Sequence, residues 1–190
     1  MHQREQFLRH IAQTSDMPLM LEVSEAQGHY LYDQEEKPYF DLISGISVSH
    51  LGHRHPLVTE ALKKQIDKHW HVMVYGEFVQ EPQVEFAEKL ASLLPDPLES
   101  VYFVNSGSEA AEGALKLAKR YTGRLNILAF DKAYHGSSHG ALSVAGEESL
   151  KNSFRPLLPG IEFGTFNEQQ SLDKIDKQTA AVIIETIQGE

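Results

Sequence analysis

The 190-residue sequence contains no cysteine. That excludes disulfides, thiolate nucleophiles and cysteine-held metal together. Positive charge is scarce: 17 Lys plus Arg stand against 27 Asp plus Glu, a net charge of −10. No basic run offers a patch for a phosphate backbone, so nucleic acid is not an expected partner. No run of about eighteen apolar residues occurs, and the opening "MHQREQFLRH" lacks the apolar centre of a signal peptide. A cytoplasmic protein with no membrane partner is the expectation. A Walker A loop and a G-x-G-x-x-G turn are also missing, as are internal repeats and low-complexity segments. What is there is ordinary globular composition, 41% hydrophobic and 23% charged, long enough for one substantial core or two small ones.

Along the chain, Phe7, Leu8 and Ile11 have helical spacing until Pro18. Residues 19–42 mix β-formers with Gly28 and the turn-like "DQEEKP", predicting two or three short antiparallel strands. Pro56 opens a helix with Leu57, Val58, Ala61, Leu62 and Ile66 on one face. Pro82 opens another, with Val84, Ala87, Leu90, Ala91 and Leu94 inward, and "PDP" ends it. Then come an apolar run at Val101–Val104, the turn "NSGS", a helical pattern over 109–121 and a second apolar run at Ile127–Phe130. That order predicts a parallel βαβ crossover, with Ala110, Ala114, Leu117, Ala118 and Tyr121 on one side of its helix. Ala181–Ile184 is a third strand candidate.

In open α/β sheets, ligands collect beyond the carboxyl ends of the strands, where a helix N-terminus offers unpaired N–H groups and a positive dipole end to an anion. Residues 105–109 hold that place. Gly107 permits close backbone approach or positive φ, and the hydroxyls of Ser106 and Ser108 can cap the helix or donate to a phosphate oxygen. The plainer alternative makes one serine an N-cap and Gly107 a turn residue only.

The stretch "FVNSGSEAAEGALKLAKRYTGR" followed by "FDKAYHGSSHGALSVAG" resembles the fold-type I pyridoxal-phosphate enzymes, specifically the class III aminotransferases of the acetylornithine/ornithine kind. "YFDLISGISVSHLGHRHPLVTEAL", "EPQVEFAEKLASLLP" and "AAVIIETIQGE" are similar to further segments of that family, in order. The resemblance implies an α/β fold: an incomplete fold-type I large domain, mainly parallel sheet with flanking helices, at 43–190. Residues 1–42 precede it as a helix and short strands that in the family belong to a small domain. It implies pyridoxal 5′-phosphate as cofactor, an amino donor (ornithine, acetylornithine or similar) and a 2-oxo acid as substrates, and a homodimer.

Carried over residue by residue, Ser106, Gly107 and Ser108 bind the cofactor phosphate, and Tyr134 of "AYHG" stacks on its ring, a task suited to a flat aromatic. His135 orients the loop. Glu185 matches the first glutamate of the motif E-P-x-Q-G-E, beside the cofactor, with Thr186 in place of its Pro. Glu190 matches the second, near the substrate. Gly45 and Ile46 of "SGIS" fall at the substrate entrance near the dimer axis, as does Tyr75. Met73 and Val74 stand where acetylornithine-type enzymes carry Ser-Asn, which leaves the amino donor open. His50, His53 and His55 match no compact metal motif, and His135 and His139 are flanked by glycines, so no metal site is expected.

The cofactor chemistry needs a lysine and an acidic partner for the pyridine nitrogen. In the family both come after the E-P-x-Q-G-E segment. Lys116, Lys119 and Lys177 do not match the Schiff-base position, so no catalytic residue is assigned. The chain is read as the N-terminal half of an aminotransferase, inactive alone, whether by deliberate truncation, proteolysis or genomic fragmentation. Rivals are a class III aminomutase or decarboxylase, a non-catalytic scaffold or dimerisation module, and a generic phosphate- or nucleotide-binding α/β domain.

Overall fold

The computed structural model describes residues 3–73 and 75–189. They divide into two compact units, 1–84 and 85–190.

In the first unit, helix α1 (Gln3–His10) precedes a meander of three strands, β1 (Glu25–Gln27), β2 (Tyr30–Tyr32) and β3 (Pro38–Phe40), paired antiparallel in the order β1-β2-β3. The "DQEEK" turn between β2 and β3 is held by Asp33, whose carboxylate accepts the amides of Glu35 and Lys37 and the Tyr39 hydroxyl. The short turn α2 (Ser44–Ser47) is left-handed: φ is +50°, +61°, +62° and +61° at its four residues. Asp41 starts it by accepting the Ser44 amide at 2.8 Å. Helix α3 (Pro56–Lys68) begins on Pro at its first turn. Its expected inward face is open, with Leu57, Val58, Leu62 and Ile66 exposed. Helix α4 (Glu81–Ala91) spans the boundary of the units, and of its expected inward residues Val84 and Leu94 are exposed.

The second unit is built on a three-stranded parallel sheet, order β5-β4-β6, from β4 (Asn126–Phe130), β5 (Ile161–Gly164) and β6 (Thr179–Val182). Strands pair with both edges of β4, and Leu115 with Val144 and Ala133 with Phe166 cover its two faces, which explains the unbroken apolar run Ile127–Phe130. Ile127 and Ala129 pack with Leu115 and Val144 on one face, and Leu128 and Phe130 with Ala133 on the other. Helix α5 (Gly107–Thr122) ends at Gly123, a left-handed cap whose amide bonds the Lys119 carbonyl. Short helices α6 (His139–Ser143) and α7 (Glu148–Lys151) follow β4.

Three expectations need correction. Val101–Val104 is irregular and pairs in no ladder among the described residues. The parallel sheet therefore rests on β5, which the sequence reading passed over, and not on a crossover from 101–104. The third strand lies two residues earlier than expected, ending at Val182. The buried face of α5 is turned by one residue: Ala111 and Leu115 are covered, whereas Leu117 and Tyr121 are 67% and 88% exposed. The apolar arc of α5 is wider than the strip the sheet covers, so periodicity alone chose the wrong centre.

Candidate active site

Helix α5 starts at the turn that follows residues 101–104. Ser106 is its N-cap, its hydroxyl accepting the Glu109 amide at 3.2 Å. The Glu109 carboxylate returns to accept the Asn105 amide at 2.6 Å, a reciprocal arrangement close to a capping box. The amides of Gly107 and Ser108, in the first turn, have no partner among the described residues. They are the donors a helix start presents to an anion. Gly107 is not in the left-handed region, and a Cβ there would meet nothing within 4 Å. It keeps open space over these amides and is not required by a backbone bend.

The loop after β4 lies against this helix start. Gly136 sits at φ +122°, and a Cβ there would collide with Ser108 Oγ and stand 2.9 Å from Ser108 Cα. Only glycine permits that approach. The Ser137 amide donates to Ser108 Oγ at 3.2 Å, and the Tyr134 amide donates to Glu185 Oε2 at 3.1 Å. The Tyr134 ring is 50% exposed. A cleft of about 570 Å³ opens here, lined by Ser106, Gly107, Ser108, Ala110, Ala111, Ala114, Tyr134, His135, Gly136 and Ile183. It offers two free amides and two hydroxyls at one end, a half-exposed aromatic beside them, and small residues along its wall. A smaller cavity of about 360 Å³ lies in the first unit between α1 and residues 18–22, with no comparable set of convergent donors.

His135 Nε2 is buried without a hydrogen-bond partner. Burial lowers its pKa, and the nearby Glu185 charge opposes that shift. The neutral ring is favoured, and its Nε2 is left unpaired beneath the cleft wall. Glu185 has, in the Tyr134 amide, the partner that a carboxylate near a strand end needs. Gln188, three residues after Glu185, donates to the Asp131 carbonyl at 2.8 Å, tying the end of the motif to the residue that follows β4.

The structure thus gathers Ser106, Gly107, Ser108, Tyr134 and His135 around one cleft, with Glu185 bonded to its loop. Gly45 and Ile46 share the left-handed turn of the first unit, where Ile46 is 84% exposed. Tyr75 is exposed in the same unit, at φ +63°. Glu190 and Val74 lie outside the described residues. His53 Nε2 stands 2.7 Å from Asp41 Oδ2, and the His53 backbone exchanges both hydrogen bonds with Gly28. The Ser44 amide and His53 together hold the Asp41 carboxyl below the usual carboxylate range, against burial. The sequence reading passed over Asp41, and over Glu112, whose carboxylate caps α6; the glycines of "HGSSHG" were the available signal for the second.

The family profile of class-III aminotransferases matches residues 11–190. The chain belongs to the class-III aminotransferases. Members of this family use pyridoxal 5′-phosphate. Among curated relatives, the acetylornithine aminotransferase of Bacillus amyloliquefaciens is 40% identical over 172 residues, covering 90% of this chain and 73% of that protein. The acetylornithine aminotransferase of Archaeoglobus fulgidus is 40% identical over 96% of this chain and 48% of its own length. The [LysW]-aminoadipate semialdehyde/glutamate semialdehyde transaminase of Sulfolobus acidocaldarius is also 40% identical, over 90% of this chain and 43% of its length. Among solved structures, a thermostable (S)-enantioselective omega-transaminase from Thermomicrobium roseum superposes with a TM-score of 0.86 at 27% identity, covering 97% of this chain and 49% of that one. This chain therefore spans about half the length of most of the relatives it matches, and the fold is that of the fold-type I transaminases.

Pyridoxal 5′-phosphate fits the cleft on the structure's own terms. Its phosphate needs N–H and O–H donors, which the α5 start supplies. Its ring needs a flat apolar surface, which the half-exposed Tyr134 supplies. No helix among the described residues is long and apolar enough to cross a membrane.

Proposed function

We propose that this chain forms the phosphate- and ring-binding half of an aminotransferase site that moves an amino group from an amine-bearing donor to a 2-oxo acid. The observation that carries the reading is the coincidence of two unpartnered helix-start amides and a half-exposed tyrosine on one cleft. When bound, the cofactor supplies an electron sink for the bonds at the substrate's amine-bearing carbon. The residues of this chain bind and orient it. Gly107 and Ser108 donate backbone amides to the phosphate, while the Ser106 and Ser108 hydroxyls, already accepting within the chain, keep their own protons to donate. Tyr134 holds the ring plane. Glu185 fixes the Tyr134 backbone, and His135 presents a neutral imidazole at the cleft wall.

No lysine lines the cleft among the described residues, and this reading assigns the amine that anchors the cofactor to another part of the parent protein, so that no turnover is expected of the chain alone. Gly45, Ile46, Tyr75 and Glu190 are assigned to the substrate side. The left-handed α2 supports that role for Gly45 and Ile46, because strained backbone is retained where geometry matters to function. Residues 1–42 are assigned to a small domain completed by other parts of the parent protein, the assembly to a homodimer, and the location to the cytoplasm. Ornithine, acetylornithine or a related amine is the donor class. Relatives named for acetylornithine and for aminoadipate semialdehyde are equally identical, at 40%, so identity does not separate the donors.

The test is titration of the purified chain with pyridoxal 5′-phosphate, followed by absorption and by protection against heat, alongside an amino-transfer assay. Saturable uptake, weakened by Tyr134→Ala and without turnover, is expected. Protection by a nucleotide with none by pyridoxal 5′-phosphate would replace this reading with a nucleotide-binding domain.

A further inference from the structure

Glu112 stands four residues after Ser108 on α5, so the two side chains share a helix face one turn apart. The loop 134–141 crosses that face. Ser108 Oγ accepts the Ser137 amide at 3.2 Å. Glu112 Oε1 accepts the Ser138 hydroxyl and the Gly140 amide at 2.7 Å each, and the Ala141 amide at 3.2 Å. The two glycines of the loop fall at the same two points. A Cβ on Gly136 would strike Ser108, and one on Gly140 would stand 2.7 Å from Glu112 Cδ. Burial works against the charge of Glu112, yet the bonds from Ser138, Gly140 and Ala141 and the charge of Lys116 leave its carboxyl below the usual range.

We propose that Glu112 is a positioning residue for the cofactor ring: together with Ser108 it clamps the loop carrying Tyr134 onto the helix whose first turn faces the phosphate. The inference rests on the cofactor reading above. One rigid helix then sets the distance between the donors for the phosphate and the aromatic surface for the ring. A cofactor that spans both requires that distance to be fixed before it binds. A simple cap on α6 would stabilise the fold and leave the two ends of the cleft independent.

The experiment compares Glu112→Ala and Glu112→Gln with the wild-type 190-residue chain. Amide exchange over 137–141 and the affinities for pyridoxal 5′-phosphate and for inorganic phosphate are measured. Losing three hydrogen bonds to a charged acceptor speeds exchange at Gly140 and Ala141 by about tenfold or more in Glu112→Ala. Pyridoxal 5′-phosphate affinity falls by about tenfold, while inorganic phosphate changes by less than about twofold, because the α5 start is untouched. Glu112→Gln keeps an acceptor oxygen and restores the cofactor to within about threefold. Equal weakening of both ligands, or faster exchange with unchanged cofactor affinity, overturns the proposal. A wild-type chain that holds pyridoxal 5′-phosphate no more tightly than inorganic phosphate overturns the cofactor reading itself, an outcome visible before any variant is compared.

Discussion

Replacing Gly136 by alanine tests whether the approach of the loop to α5 builds the cleft. The added Cβ would collide with Ser108 Oγ and lie 2.9 Å from both Cα and Cβ of Ser108. Those are helix atoms of the first turn and do not yield cheaply. Overpacking costs about 1–3 kcal/mol, and a side chain at φ +122° adds about 1–3 kcal/mol of backbone strain. The loop has a less costly escape. A local lift of residues 134–137, with the Glu112 bonds to 138–141 kept, gives up only the Ser137–Ser108 and Tyr134–Glu185 bonds, about 1 kcal/mol each. The observed loss is therefore capped near about 2 kcal/mol, which is about a 30-fold rise in local opening. Amide exchange at Ser137, urea unfolding and cofactor affinity read the three consequences. Gly123→Ala is the control, since Gly123 also has positive φ, at +68°, but a Cβ there meets nothing within 4 Å. It carries only the left-handed penalty, about 1 kcal/mol, and leaves the loop in place. If Gly136→Ala affected Ser137 exchange and cofactor affinity no more than Gly123→Ala, the contact would not be what shapes the cleft.

Ile46→Gly relieves a β-branched residue at φ +62° whose side chain is 84% exposed. Removing a penalty of about 1–2 kcal/mol against a glycine cost of about 0.5–1 kcal/mol raises stability by about 0.5–1 kcal/mol, read as a higher urea midpoint; a lower midpoint would contradict the strain. His135 has its pKa lowered in the fold by burial, so its contribution is intact above its unfolded value of about 6.5 and is lost as pH falls below that through the folded value. His135→Gln flattens the stability profile over that acid window, and an unchanged slope would assign the window to another group. Lys151 is 2% exposed, paired with the exposed Glu148 at 2.9 Å, with its ammonium 4.1 Å from the Phe163 ring centre. Lys151→Met keeps the volume and is neutral or stabilising by thermal melting, because desolvation offsets most of the pair; a loss above about 2 kcal/mol would show that the cation itself holds α7 to β5.

What could be read in advance follows from where hydrogen bonds are satisfied. A helix closes its own ladder, so α1, α3, α4 and α5 were legible from spacing, from Pro56 and Pro82, and from the Ser106 cap. The meander was legible from its turns. Of the cleft residues, Ser106, Gly107 and Ser108 were legible from a local pattern, a turn at a helix start, whereas Tyr134 and His135 were pointed to only by the family resemblance. Glu112 was not, since in the sequence it is one more charge on an amphipathic helix. Its role exists only once Gly140 is brought against it. Asp41 and His53 are similar: twelve residues apart, they meet only because Gly28 and His53 pair.

A strand, unlike a helix, is a property of a pair. Val101–Val104 and Ile127–Phe130 are equally apolar runs of four, and composition does not distinguish them. The second became a central strand because residues 161–164 and 179–182 bond it on both sides. The first has no such neighbour among the described residues, and Tyr102 and Phe103 remain exposed. The same holds one layer out, where Leu117 and Tyr121 of α5 face away from the sheet that covers Ala111 and Leu115. An apolar segment without a ladder and an apolar helix arc without a cover are both unmet demands on one unit. The cleft shares neither defect. Its loop, its helix start and the segment after β6 are joined by hydrogen bonds within these residues, which is why a chain spanning about half of most of its relatives can still hold this cleft in shape.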